Sequence, residues 1–155
     1  NIKIQYLEHE ALPQNFNTKL DNIAINLKGH IDRIDIFNNT YRIIDYKTGF
    51  VEGLDLKTLN LDDLHSKPKI LQLLFYAWLF KKENPIKNIP ILAGVINLRA
   101  QNFDFQPCLV NKKSKIDQSI LCDFEKQLDV IFEDIFHPNQ NFEHLDSDGK
   151  CIFCD

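Results

Sequence analysis

The sequence predicts a mixed α/β fold, in which a mixed β-sheet is flanked by helices and the elements follow the order β-β-β-α-β-α. Three observations lead to this prediction. Apolar and polar residues alternate over residues 23–36, which is typical of strands. Residues 70–80 are almost entirely apolar, and residues 116–135 carry apolar residues at helical spacing, so both segments are predicted helices.

The composition excludes several classes of function. The 155 residues include 18 Lys and Arg against 22 Asp and Glu, and the net charge of -4 argues against a polybasic protein that binds by bulk positive charge. The longest apolar run is far shorter than the ~20 residues of a membrane span, and we expect no secretory signal, because the first ten residues contain many polar side chains. We therefore expect a reduced, cytoplasmic setting for the four cysteines, and the lack of Met indicates a piece of a longer protein.

The first part of the chain predicts strands. Residues 2–10 are a predicted strand and residues 11–21 a loop. The alternation that follows changes parity after Ile31, which predicts a bulge or a strong twist near residues 32–33.

A tight turn at Asn38–Asn39 should lead into the next strand, residues 41–47, so that two antiparallel strands form a hairpin. Residues 48–67 show no period and contain two glycines, which predicts a long loop. Long loops in compact domains often carry function.

The first predicted helix should be central and buried, because it is apolar almost all round. Ser66 is its predicted N-cap, with Pro68 in the first turn. Its polar exceptions are spaced i, i+3 and i+7 and therefore form one narrow stripe: Lys69, Gln72 and Tyr76.

The second half alternates between a strand and a helix. The apolar run over residues 91–98 predicts a strand that is buried on both faces, and residues 100–113 a further strand-like or loop segment. Ser114 and Asp117 resemble a capping box for the long amphipathic helix, which should end near His137.

The candidate metal-binding and catalytic residues lie on the predicted hairpin. Side chains two apart on a strand share a face, so Asp45 and Lys47 should lie side by side, and Asp32 on the neighbouring strand could reach the same place. Two carboxylates and a backbone carbonyl are the hard oxygen ligands that Mg²⁺ or Mn²⁺ prefers, and a lysine beside them can hold a water. The competing interpretation is a solvated salt bridge of little consequence.

Three segments resemble the PD-(D/E)XK nuclease superfamily: Gly29-His-Ile-Asp-Arg-Ile-Asp35, Asp45-Tyr-Lys-Thr-Gly49 and Gln72-x-x-x-Tyr76. The closest resemblance is to the RecB-like branch, which includes nuclease domains of helicase–nuclease repair complexes and CRISPR-associated exonucleases. The motifs occur in order, and the resemblance covers residues 2–155.

The resemblance implies a restriction-endonuclease-like fold and a division of the chain. Residues 1–137 would be the nuclease core and residues 138–155 an irregular C-terminal tail. In this branch an early helix usually precedes the first strand and adds a ligand to the metal site. We expect the core to lack that helix, because the chain opens directly with a strand.

The resemblance also implies roles for individual residues. Asp32 and Asp45 would bind Mg or Mn together with the backbone carbonyl of Tyr46, and Lys47 would orient the attacking water. Gln72 and Tyr76 would lie beside the scissile strand of DNA.

Other residues near the motifs receive weaker interpretations. Glu8 and Glu10 are candidate catalytic residues, because relatives often carry a glutamate on the first strand; the competing interpretation is a solvated face of an edge strand. Arg33 and Asp35, which also lie in the motif, are interpreted as a structural ion pair or as support for the metal-binding residues. His9 and His30 are interpreted as exposed polar residues.

Some relatives also bind a [4Fe–4S] cluster, mostly through cysteines that follow the core. Cys151 and Cys154 lie where such ligands would begin, so we consider them candidate ligands of a cluster in the longer parent protein only. Cys108 and Cys122 are predicted to be buried, inert thiols.

The expected function is therefore that of a Mg-dependent DNA exonuclease that acts on single strands or duplex ends. We expect it to be a module of a larger repair or recombination protein, with a helicase or other domains as its partners. Two alternatives stay open: a catalytically silent nuclease fold that binds DNA or acts as a scaffold, and a restriction-like endonuclease.

Overall fold

The computed structural model describes residues 1–18, 23–51, 53–85 and 90–139. Within them, strands and helices follow this order: β1 Ile2–Glu10, β2 Gln14–Asn17, β3 Ala24–Leu27, β4 His30–Phe37, β5 Thr40–Lys47, β6 Asp55–Leu56, α1 Leu61–Ser66, α2 Pro68–Glu83, β7 Ile91–Asn97, β8 Phe105–Pro107, β9 Leu109–Val110, β10 Lys115–Ile116 and α3 Gln118–Ile135. The predicted mixed sheet with flanking helices is confirmed.

The central sheet has the strand order β1-β4-β5-β7-β10, and β8 also pairs with β7. Strands β5 and β7 are parallel, whereas the other pairs of this sheet are antiparallel. Two small sheets, β2-β3 and β6-β9, accompany it. Since β5 and β7 are parallel, their C-terminal ends lie at the same edge of the sheet.

The hairpin of β4 and β5 turns at Asn38 and Asn39, as predicted. Both have positive φ, 47° and 58°, which asparagine adopts more readily than most residues and which a type I′ turn requires. The turn fixes the register in which Arg33 pairs with Ile44. The hairpin therefore sets the positions of the polar residues that follow along both strands.

The predicted irregularity near residues 32–33 is wrong in its position. The register shift falls on β1, between Ile4 and Tyr6, while β4 continues from His30 to Phe37. Ile31 and Ile34 are nevertheless both buried, as the change of parity requires.

The alternating segment is also divided into two strands, β3 and β4, at Lys28–Gly29. A Cβ at Gly29 would lie 2.7 Å from Leu79 Cδ1 and 3.3 Å from Tyr76 Cε1, so the backbone here packs directly against α2. A larger residue here would force the Leu79 side chain to move.

Two predicted loops contain secondary structure. Residues 11–21 include β2, and residues 48–67 include β6 and α1. Asn60 caps α1 by accepting a hydrogen bond from the Asp63 backbone N–H at 2.8 Å. These elements are two to six residues long, too short to display a period in the sequence.

Two predicted helix caps are wrong. Ser66 ends α1 and donates to the Asp63 carbonyl, while the N-cap of α2 is Lys67, which makes no side-chain cap. Pro68 does open α2 as predicted. The capping box predicted from Ser114 and Asp117 is also wrong, because Asp117 alone caps α3, accepting a hydrogen bond from the Ile120 N–H at 3.0 Å.

Helix α2 packs in the middle of the hydrophobic core, as its apolar surface predicts. Trp78 and Phe80 are 2% exposed, and Phe124 from α3 is fully buried in the same cluster. Strand β7 is buried over three consecutive residues, Ala93–Val95, which confirms the prediction for a strand that is covered on both faces. No helix within the described ranges is long and apolar enough to cross a bilayer.

The two cysteines in the described part of the chain differ. Cys108 is buried, and burial raises the pKa of its thiol to about 12, which agrees with an inert core residue. Cys122 is exposed on α3, so the prediction that it is buried is wrong. Cys151 and Cys154 lie outside the described residues, as does most of the predicted tail.

Candidate active site

Strands β4 and β5 bring three charged side chains together at one end of the hairpin. Lys47 Nζ lies 2.8 Å from Asp45 Oδ2, as the two-residue period predicts. Asp32 accepts a hydrogen bond from the Tyr46 backbone N–H at 2.7 Å, which joins β4 to β5 beside Asp45. The three residues predicted as a catalytic group therefore lie in one place.

Helix α2 extends this group with the polar stripe of its otherwise apolar surface. Lys47 Nζ donates to Gln72 Oε1 at 3.0 Å, and Gln72 Nε2 donates to the Tyr76 hydroxyl at 2.9 Å. Asp45, Lys47, Gln72 and Tyr76 thus form a continuous series of contacts, which we call the polar chain. The third member of the predicted stripe, Lys69, is not part of it.

Asp45 has an unusual environment for a carboxylate. It is 4% exposed, and its buried Oδ2 meets Lys47 in a direction that leaves it without a well-formed hydrogen bond among the described residues. Burial raises the pKa of Asp45, Lys47 opposes that change, and the charge of Asp32 raises it further. A positive ion at this position would be stabilised by both carboxylates.

A second set of ligand atoms adjoins Asp32. One ligand atom each from Glu8, His30 and Asp32 lies within 4.8 Å of the others, and His30 Nδ1 is 3.5 Å from Glu8 Oε2. Glu8 and His30 are exposed and Asp32 is half-buried. A carboxylate pair with an imidazole is a donor set that suits divalent metals such as Mn²⁺.

The structure distinguishes between the candidates on the first strand. Glu8 belongs to this group, whereas Glu10 does not. His30 was interpreted only as an exposed polar residue, although it lies two positions before Asp32 and so shares its face of the strand. That spacing is the signal that could have identified it.

His9 was also predicted to be exposed, and this is wrong. Its Nε2 lies 2.8 Å from Glu83 Oε2 at the end of α2, and its side chain is only 18% exposed. This pair joins β1 to α2.

A separate ion cluster lies on the same hairpin. Asp35 is fully buried between Arg33 and Arg42, with nitrogen–oxygen distances of 2.6 to 2.8 Å. Arg33 also donates to the Tyr46 hydroxyl at 3.2 Å. This geometry agrees with a structural ion pair, extended by Arg42.

A family model of the PD-(D/E)XK nuclease superfamily matches residues 2–155. The match spans all of the predicted site residues. Neither a curated protein nor a solved structure gave a match.

Proposed function

Since the chain belongs to the PD-(D/E)XK nuclease superfamily, we propose that it is a metal-dependent DNA exonuclease of the RecB-like branch. Its reaction is the hydrolysis of DNA phosphodiesters, which leaves 5′-phosphate and 3′-hydroxyl ends. The observation that carries this proposal is the polar chain beside Asp32, in which a lysine is held between a carboxylate and an amide.

The residues present fit a divalent metal. The buried, poorly hydrogen-bonded oxygen of Asp45 and the nearby Asp32 would hold Mg²⁺ or Mn²⁺, together with the backbone carbonyl of Tyr46. Glu8 and His30 adjoin Asp32 and would add ligand atoms from the exposed side. Such an ion, when bound, would polarise the phosphate and lower the pKa of a water molecule.

Lys47 orients the attacking water and stabilises the negative charge that develops on the phosphate. Gln72 supports this role, because its carbonyl oxygen accepts from Lys47 and so restricts where the ammonium can lie. Tyr76 fixes the Gln72 amide from the other side. Gln72 and Tyr76 contact the DNA strand that is cut.

The test is degradation of end-labelled single-stranded DNA with Mn²⁺, comparing the wild type with Lys47→Ala. We expect cleavage to fall by about a hundredfold or more, because loss of one donor to developing charge costs about 10²–10³ in rate. Lys126→Ala is the matched control, since Lys126 is an exposed lysine that pairs only with Asp123 among the contacts described. Equal cleavage by all three proteins would refute the role of Lys47.

Two further comparisons separate the alternatives. Cleavage of a linear duplex but not of a covalently closed circle supports the exonuclease, and cleavage of both supports an endonuclease. DNA binding without any cleavage would instead support the silent module. A parent repair protein with helicase domains, and a cytoplasmic location, remain predictions.

A further inference from the structure

The loops that follow β5 and β7 leave the sheet at the same edge as the polar chain. The two strands are parallel, and Lys47 is in register with Asn97. The Leu98 N–H donates to the Lys47 carbonyl at 2.8 Å, so the second loop begins directly beside the catalytic lysine of the proposed site. We call residues 48–50 and 98–103 the β5–β7 rim.

This rim presents the two most exposed aromatic side chains of the described chain. Phe50 is 77% exposed and Phe103 is 65% exposed, whereas the next aromatic residue, Phe136, is 43% exposed. Leu98 on the same rim is 45% exposed. Large apolar side chains held in water are unfavourable, and the presence of the two most exposed aromatic ones on a rim beside the polar chain indicates a surface that is covered when the protein works.

Phe50 is presented by an anchored backbone. Lys69 Nζ, from the first turn of α2, donates to the Phe50 carbonyl at 2.8 Å. Lys69 is one turn before Gln72 on the same helix, so the contact ties the position of Phe50 to the polar chain.

The rim also carries charge of the sign that suits nucleic acid. In the second loop, Arg99 is exposed between Leu98 and Phe103. In the first loop, Lys69 donates a hydrogen bond to the Phe50 carbonyl. Asp104 follows the rim as an exposed acid. Aromatic rings alternating with cations are the arrangement by which proteins bind unpaired nucleotides, since every base has a face that can stack.

We infer that the β5–β7 rim binds single-stranded DNA next to the cleavage site, with Phe50 and Phe103 stacking on bases and Arg99 contacting phosphate. This inference rests on the proposed function, and it adds a substrate preference. Inside a duplex both faces of each base are occupied by its neighbours and only the two end pairs expose a face, so the rings should stack mainly on an unpaired strand. An overall charge of -4 is consistent with binding that depends on stacking more than on many phosphate contacts.

The test uses tryptophan as a reporter in the whole chain, with EDTA present so that no DNA is cut. The one native tryptophan, Trp78, is 2% exposed and gives a constant background. Phe50→Trp and Phe103→Trp place an indole on the rim, and Phe136→Trp, at the end of α3, is the matched control. We expect saturable quenching by oligo(dT) in both rim variants, weak quenching by a blunt duplex, and none in the control.

Binding affinity gives a second readout. Each of Phe50→Ala and Phe103→Ala should weaken oligo(dT) binding by about tenfold, since one base–aromatic stack is worth about that much. Phe136→Ala should leave the affinity unchanged. The inference would be overturned if neither rim variant showed quenching, or if a duplex quenched as strongly as oligo(dT). It would also be overturned if both alanine variants bound oligo(dT) with unchanged affinity.

The test of the rim can fail or succeed independently of the test of the proposed nuclease activity. Cleavage that depends on Lys47, without quenching at the rim, would refute the rim and leave the nuclease intact. Quenching at the rim without any cleavage in Mn²⁺ would support the rim and refute the exonuclease.

Discussion

Asp35 and Asp45 are the two buried carboxylates in the described part of the chain, and they lie on paired strands of one hairpin. Asp35 is enclosed by two arginines that bond both of its oxygens. Asp45 meets a single lysine, whose side chain is 28% exposed, and it also faces the charge of Asp32.

The comparison shows how one hairpin supports two kinds of ion cluster. Around Asp35 the two arginines outnumber the one carboxylate, and both carboxylate oxygens are already paired with guanidinium nitrogens, so the carboxylate offers no unpaired oxygen to a further ion. Around Asp45 the two carboxylates outnumber the one lysine, and a buried oxygen lacks a good donor among the described residues. An excess of buried negative charge of this kind destabilises the fold, and it favours the binding of a metal cation.

The largest expected effect is on stability, measured without metal. Asp35→Asn should lower the free energy of unfolding by about 3–5 kcal/mol, because removing one partner of a buried ion cluster leaves the other charges uncompensated. Asp45→Asn should change it by less than about 1 kcal/mol, because the loss of its ion pair with the partly exposed Lys47 is offset by the removal of a buried charge that faces Asp32. Urea unfolding of the two variants measures both values.

The control for this comparison is Arg42→Ala combined with Asp35→Asn. Removing both charges should cost less than the sum of the two single substitutions, because the residues interact directly. Equal losses for Asp35→Asn and Asp45→Asn would show that the two clusters do not differ in the way that their geometry indicates.

The next effect concerns metal binding and reverses the order of the two residues. Asp45→Asn should weaken Mn²⁺ binding by tenfold or more, about 1.4 kcal/mol, because it removes a charged ligand from the proposed site. Asp35→Asn, examined under conditions where it is folded, should bind Mn²⁺ as the wild type does. Calorimetry decides this, and an unchanged affinity in Asp45→Asn would contradict the ligand assignment.

Polar contacts between residues of the same strand or the same helix could be predicted from the sequence, because the repeat of that element decides which side chains share a face. Asp45 and Lys47 are two apart on a strand, and Gln72 and Tyr76 are four apart on a helix, so each pair must share a face. The contact between Lys47 and Gln72 could not be derived from periodicity, since it depends on how α2 packs on the sheet. Only the resemblance of the ordered motifs to a nuclease family indicated that Lys47 and Gln72 belong to the same site.

Features that depend on a partner element were missed or misplaced. The parity change after Ile31 predicts an irregularity on β4, but the strand that carries the extra residue is β1, which one strand alone cannot reveal. The N-cap of α2 was misassigned for a similar reason: Ser66 has a suitable side chain, yet α1 ends there and uses it. Local propensity is overridden wherever a neighbouring element competes for the same group.

The smallest expected effect separates two exposed glutamates of β1, which differ in what lies beside them and in backbone conformation, since Glu8 has a φ of 48°. Glu8 lies between the residues that pair with Ile31 and Arg33, and its carboxylate approaches Asp32 and His30, whereas Glu10 is outside that group. Glu8→Gln should therefore weaken Mn²⁺ binding by up to about fivefold, the amount expected for an exposed charge that contributes about 0.2–1 kcal/mol.

Glu10→Gln is the matched control for this prediction, since it removes the same charge from the same strand two residues away. It should leave Mn²⁺ affinity unchanged in the same calorimetric titration at moderate salt, where long-range charge effects are screened. Equal weakening by both substitutions would mean that Glu8 acts only through the general field of the protein. Weakening by Glu8→Gln alone requires that the carboxylate act at short range, which extends the metal site from the two buried strands onto β1.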